Sequence, residues 1–284
     1  MSSLIAFFSL NFAAALSLSN KTPLSTVNED APSFRRGEIR SMHMPSYVSS
    51  EFPIGQHEKL QLHKRFPAQG LTELYVEAQT LGNLMVYFDA EDEARVLGVA
   101  EEHLLPERVA LVDGRLIMEA KNFKRFLQQG QSEKIRIEVH VPEATRLNVH
   151  FGAGVVMLKG GSGDVHVSGG VGEVSGQSSA RNIDIKLSGG DITLSNIQAQ
   201  ANLKLHVGSM TLDWAELSGD EKVEAKCILG KIDLILPPAV AVVEDQGGIF
   251  LRKTVDIPFS THINAQVGFG GLEVIPFEPL QILA

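Results

Sequence analysis

From Thr145 onward, apolar and polar residues alternate in stretches that recur every 18 to 22 positions. Units starting at Thr145, Gly163, Arg181, Ala201, Glu221, Ala239 and Thr261 are spaced 18, 18, 20, 20, 18 and 22 residues apart. Their third residues are Leu147, Val165, Ile183, Leu203, Val223, Ala241 and Ile263. Their fifth are Val149, Val167, Ile185, Leu205, Ala225, Val243 and Ala265. The fourth and sixth positions are polar in every unit except at Val242. A period of two places one set of side chains inside and the other in solvent, which predicts a half-buried β-strand.

Glycine follows each alternating run, at Gly152, Gly170, Gly189, Gly208, Gly230, Gly247 and Gly268. A second apolar pair comes next, at Val156/Leu158, Ile192/Leu194, Leu212/Trp214, Ile232/Leu234, Ile249/Leu251 and Leu272/Val274. The unit is strand, glycine corner, strand, turn, in about twenty residues. Two all-β arrangements fit it. An antiparallel meander uses the glycine in a hairpin turn. A β-solenoid or β-roll uses it as a corner and stacks like positions about 4.8 Å apart. Equal offsets favour the solenoid, with an irregular N-terminal cap.

The cap is expected within residues 58–144, before regular repeats in 145–284. Glu73 to Phe88 reads as strand, Gly82, strand. Arg108 to Ala120 carries the hairpin turn Asp113-Gly114, and Glu133 to Val141 alternates up to Pro142. The acidic stretch Asp89 to Glu107 has helical spacing, and Lys121 to Gln131 reads as a short helix or a basic excursion. Residues 1–19 form an apolar leader and 20–57 a polar linker or arm. The run Leu4 to Leu18 is too short for a membrane span, which takes about 20 residues. It resembles the apolar core of an export signal without a basic start. If the segment is a signal, the location is extracellular, periplasmic or at the cell surface; otherwise it is cytoplasmic.

Charge narrows the partners. The 284 residues carry 25 Lys+Arg and 34 Asp+Glu, a net charge of −9, and no basic stripe marks a nucleic-acid interface. The lone Cys227 excludes an internal disulfide framework and a multi-cysteine zinc site. No spacing implies a cofactor.

At three places the repeats resemble a known family. GSGDVHV (Gly161 to Val167), SGGDITL (Ser188 to Leu194) and ILGKIDLILP (Ile228 to Pro237) are similar to the glycine-rich rungs of the bacterial putative-adhesin family. VDGRLIMEA, from Val112, followed by IRIEVHVPEATRLNVHFGAG, ending at Gly154, resembles the start of such domains. The resemblance covers roughly Glu58 to Pro276 and implies parallel or coiled β architecture, envelope or surface placement and no catalytic residues. Ser209, Lys231 and Gly271 stand where the rung motif has Asp.

Candidate chemistry follows from the outward columns. His150, Ser168, Lys186, His206, Lys226 and Glu244 would line one strand face, and His150, Lys186, His206 and Lys226 could contact a glycan or a cell-surface protein. Asp213 and Asp233 would fall on adjacent rungs, a carboxylate pair able to serve polysaccharide cleavage on the same scaffold. Gly160 to Asp164 places its Asp one position early for a calcium-binding β-roll turn, so Asp164 and Asp191 read as turn residues. Cys227 falls in an inward column and reads as a buried thiol. The solenoid ends and the apolar tail Pro276 to Ala284 offer a route to a homo-oligomer. The expectation is a non-catalytic, adhesin-like structural module.

Overall fold

In a computed structural model of the chain, the residues described are 54, 61–100, 104–120, 135–198, 200–214, 216–217, 219–237, 242–245, 251–256 and 261–276. The chain divides into two units, 1–47 and 48–284, and every described residue belongs to the second. The apolar leader, the arm apart from Ile54, the Lys121 to Gln131 excursion and the tail beyond Pro276 lie outside the described residues.

These residues are nearly all β and form one mixed, open sheet. Its strands are β1 (Leu62–Pro67), β2 (Glu73–Tyr87), β3 (Glu93–Val99), β4 (Arg108–Val112), β5 (Arg115–Ala120), β6 (Arg136–His140), β7 (Arg146–Lys159), β8 (Val165–Gln177), β9 (Asn182–Ser195), β10 (Gln200–Asp213), β11 (Lys222–Leu236), β12 (Val242–Asp245), β13 (Leu251–Asp256) and β14 (His262–Pro276). The central ladder β2-β7-β8-β9-β10-β11-β14 is parallel throughout. The hairpin alternative therefore does not hold for these strands.

Each long strand has two apolar halves around its glycines. In the first half, Leu74, Leu147, Val165, Ile183, Ala201, Val223 and Ile263 lie side by side and buried. In the second half, Leu84, Val156, Val174, Ile192, Met210, Ile232 and Leu272 do the same. All belong to one hydrophobic cluster, so each strand buries both halves in a common core, the main favourable term in its folding. Size varies along a column where neighbours demand it. A side chain on Gly169 would meet the ring of Phe151 and the tip of Leu187, so large, absent and large alternate on β7, β8 and β9.

Between the halves runs a column of glycines, Gly154, Gly172, Gly190, Gly208, Gly230 and Gly270, in register on adjacent strands. A Cβ on any of the last five would overlap the carbonyl oxygen of the preceding strand's glycine. Gly190 and Gly208 also adopt φ of +114° and +141°, a region that side chains disfavour. Backbone packs directly on backbone there.

Different devices protect the two ends of the ladder. β5 pairs with the first half of β2 and β6 with its second half, so the edge of β2 is occupied along both. Beyond them β4 pairs with β5, β3 with β6 and β1 with β3. The turn between β4 and β5 has φ of +48° at Asp113 and +74° at Gly114, as a tight hairpin requires. At the other end β13 runs antiparallel to the first half of β14, and β12 pairs with β13.

Four sequence expectations change. The parallel ladder begins at β2, well before Thr145. Asp89 to Glu107 contains a strand, β3, because Ala94 and Val96 alternate into the core between β1 and β6. Ala239 starts no parallel rung: β11 pairs directly with β14, and residues 242–256 supply the antiparallel β12 and β13. Pro237-Pro238 removes two consecutive backbone donors after β11, which disfavours continuing the ladder. Finally, Ile183 pairs with Ala201 and Ile185 with Leu203, two residues from the alignment that alternation suggests. A slip of two keeps every apolar side chain inside, so the pattern cannot detect it; the glycine column decides.

That column yields a paired test. Gly190→Ala places a Cβ on the Gly172 carbonyl and should lower stability by roughly 3 kcal/mol or more. Its neighbour Gly189 has no positive φ and nothing closer than 3.7 Å to an added Cβ, so Gly189→Ala should stay within about 1 kcal/mol of the parent. Urea unfolding midpoints of the two variants would separate them.

Candidate functional site: a ring ladder and its polar face

The outward side chains of the first strand halves form a polar face, and the parallel register sorts them into columns. One column reads Tyr75, Asn148, His166, Asp184, Asn202, Glu224 and Asn264. The next reads Glu77, His150, Ser168, Lys186, Lys204, Lys226 and Gln266.

Three rings meet at the β2–β7–β8 end of this face. Tyr75 and His150 have centroids 5.9 Å apart in a tilted arrangement, and His150 and His166 are 5.7 Å apart edge to face. Edge and face contacts of this kind suit the ring quadrupoles. Arg115 lies 5.8 Å over the Tyr75 ring while bonding the mostly buried Glu73 at 2.8 Å, so the platform is anchored from β5.

Acceptors and amides continue the ladder. His166 Nδ1 lies 3.1 Å from Asp184 Oδ2, and Lys186 Nζ donates to that oxygen at 2.7 Å. Asn202 donates to Asp184 at 3.3 Å, Asn182 to Asp164 at 2.9 Å and Asn264 to Glu224 at 2.8 Å. Amides bridging neighbouring strands hold these side chains in a fixed array.

Burial and neighbouring charge act on the rings. Burial, then the adjacent His166, push the His150 imidazole below its ordinary value, with Glu77 opposing. The Tyr75 phenol is raised, first by burial and then by Glu77, to which it donates at 3.3 Å. His150 therefore favours its neutral form in the folded protein.

The residues singled out from sequence come together only in part. His150, Lys186 and Lys226 share one column, but its β10 member is Lys204 rather than His206. His206 is exposed two residues farther along the same strand. Glu244 belongs to β12 and pairs with Lys253. Asp213 and Asp233 are not opposite each other: Asp213 pairs with Ile235, and Asp233 with Thr211. Asp233 instead neighbours Glu273, with Lys231 held between them at 3.1 and 3.2 Å. That ammonium is stabilised, chiefly by its bond to Asp233. Burial alone raises the Asp213 carboxyl.

Cys227 is buried between Leu205 and Val267, and burial raises its thiol. Among the described residues, no group of three or more His, Cys, Asp or Glu is placed to hold a metal ion. None of their helices is long and apolar enough to cross a membrane. Tyr75 is the platform residue that counting repeats from Thr145 misses. Its signal was present, since Glu73 to Phe88 has the same strand, glycine, strand order as the later units.

No protein-family model matches the chain, and no curated protein does. A solved structure from Clostridium sporogenes, described as a "putative cell adhesion protein", is similar at 14% identity, with a TM-score of 0.33 over 77% of this chain and 100% of that one. So distant a likeness carries no argument about the role of this chain.

The His150 environment has a pH consequence. The folded form binds a proton less readily than the unfolded chain, whose histidine titrates near 6.5. Stability should therefore decline as pH falls below about 6.5 and level off once folded His150 is protonated. Urea midpoints between about pH 8 and about pH 5 should show a smaller decline in His150→Gln than in the parent.

Proposed function

We propose that the protein is a non-catalytic β-solenoid module that binds glycan in an adhesin-like role through the platform of Tyr75, His150 and His166. The observation that carries the binding role is this ring ladder beside a fixed array of amides and carboxylates. The rings offer apolar faces of the size of a sugar ring. Asp184 and Asn202 offer donors and acceptors to its hydroxyls.

Strand and connection lengths support the coil. β8 has 13 residues, about 40 Å if straight. Only residues 178–181 join it to β9, and their reach is about 18 Å. Val165 pairs with Ile183, so the two ends of β8 must lie within about 25 Å of each other. A strand that folds back at its glycines meets that limit, and each rung then returns beside its own start.

The register separates Asp213 from Asp233, which removes that pair as a candidate for cleavage. The reading includes export to the cell envelope through the apolar leader. N-terminal sequencing of the mature protein checks this, and an intact Met1 in the cytosol would overturn it.

Binding can be measured by titration calorimetry against a panel of soluble oligosaccharides. At least one should bind, and Tyr75→Ala should weaken it by about tenfold or more, while the protein stays folded and loses only about 1 kcal/mol of stability from the ring contacts. Absence of binding across the panel, or binding indifferent to Tyr75→Ala, would defeat the platform. New reducing ends released from a bound polysaccharide would defeat the non-catalytic part.

A further inference from the structure

An exposed apolar ridge runs along the glycine corner, outside both strand faces. Residues just before the corner glycines align as Val171, Gly189, Val207, Leu229 and Phe269 on β8, β9, β10, β11 and β14. Phe269 is 63% exposed, Val171 49% and Leu229 42%, with Ile228 beside Leu229 at 45%. Single exposed apolar residues are ordinary; Ile228, Leu229 and Phe269 clustered on the adjacent strands β11 and β14, with Val171 farther along the same line, mark an interaction surface.

The flanks of the ridge differ in charge. On one side stands the exposed column Lys186, Lys204 and Lys226, in which Lys186 is bonded to Asp184 at 2.7 Å, a pair of no net charge. On the other stand Glu173, Asp191, Ser209 and Lys231. Lys231 is shared between Asp233 and Glu273, so that trio contributes one net negative charge. The strip therefore carries a cationic margin, an apolar spine and an acidic margin.

We propose that this strip binds a second copy of the chain, across a two-fold axis running along the ridge. Such an axis exchanges the two margins. It sets Lys186 of one copy against Asp191 of the other and Lys226 against the Lys231 trio, while the apolar spines meet. A two-fold across the ridge would instead oppose lysine to lysine. Isologous contacts require a self-complementary surface, and this strip contains both halves of its own match. The ladder edges offer less to a second copy, because β5, β6 and β13 already occupy the edge of β2 and the first half of the β14 edge.

Size sets the strength. Five strands span about 19 Å at 4.8 Å spacing. A strip about 20 Å wide then buries about 800 Å² in total, below the roughly 1,200 Å² of stable complexes. The dimer is weak and concentration-dependent.

Sedimentation of the full chain over about 10 μM to about 1 mM tests this. The parent should shift from monomer to dimer, and Phe269→Ser should weaken the association by roughly tenfold while its urea midpoint stays unchanged. Lys186→Glu and Asp191→Lys should each weaken it several-fold, and the double variant should recover it. A parent that remains monomeric throughout, a dimer insensitive to Phe269→Ser, or a double variant no tighter than the singles would overturn the proposal. Phe269 and Asp191 lie outside the glycan platform, so glycan titration of Phe269→Ser and Asp191→Lys reads independently, whereas Lys186 bonds Asp184 of that platform.

Discussion

Close approach of backbone to backbone along the glycine column is the constraint on which the other features depend. From Gly172 to Gly270, each glycine of the column lies where a Cβ would overlap the carbonyl of its predecessor. Neighbouring strands stay paired in register across the junction of their two apolar halves. Both halves reach a common core, and the register of one strand is passed to the next. Side-chain packing could tolerate alternative pairings of these alternating sequences. A column of missing Cβ atoms tolerates one.

That fixed register gives the surface its order. Once Gly190 is paired with Gly208, Lys186 must stand beside Lys204 and Asp184 beside Asn202. Hydrogen bonds between neighbouring strands then form along the face, from Asn202 to Asp184 and from Asn264 to Glu224. The same register brings Val207, Leu229 and Phe269 into line at the corner. Flat, ordered surfaces arise here from repetition of the backbone, whereas a pocket would require irregularity.

The cap shows how a ladder is closed without a second core. β5 and β6 share the edge of β2, each pairing on one side of Gly82. Glu73, mostly buried, is satisfied by Arg115 across the β2–β5 pair, so the closing strand also neutralises a charge that would otherwise be costly to bury.

Alternation, inward positions and glycine punctuation were determined by the sequence alone, because they depend on a period of two and on the absence of a Cβ. Leu147, Val165 and Ile183 could be placed inside without a structure, as could Cys227. Which residues become neighbours across strands was not legible. A two-residue slip leaves every apolar residue facing the core, so Lys204 and His206 could not be told apart, nor could Thr211 and Asp213. Tyr75 reaches His150 only because a strand 71 residues before Arg146, counted from Tyr75, stacks as the first of the ladder. Tertiary structure decided these matters, since register is set where backbones touch and no pattern along one chain records that contact.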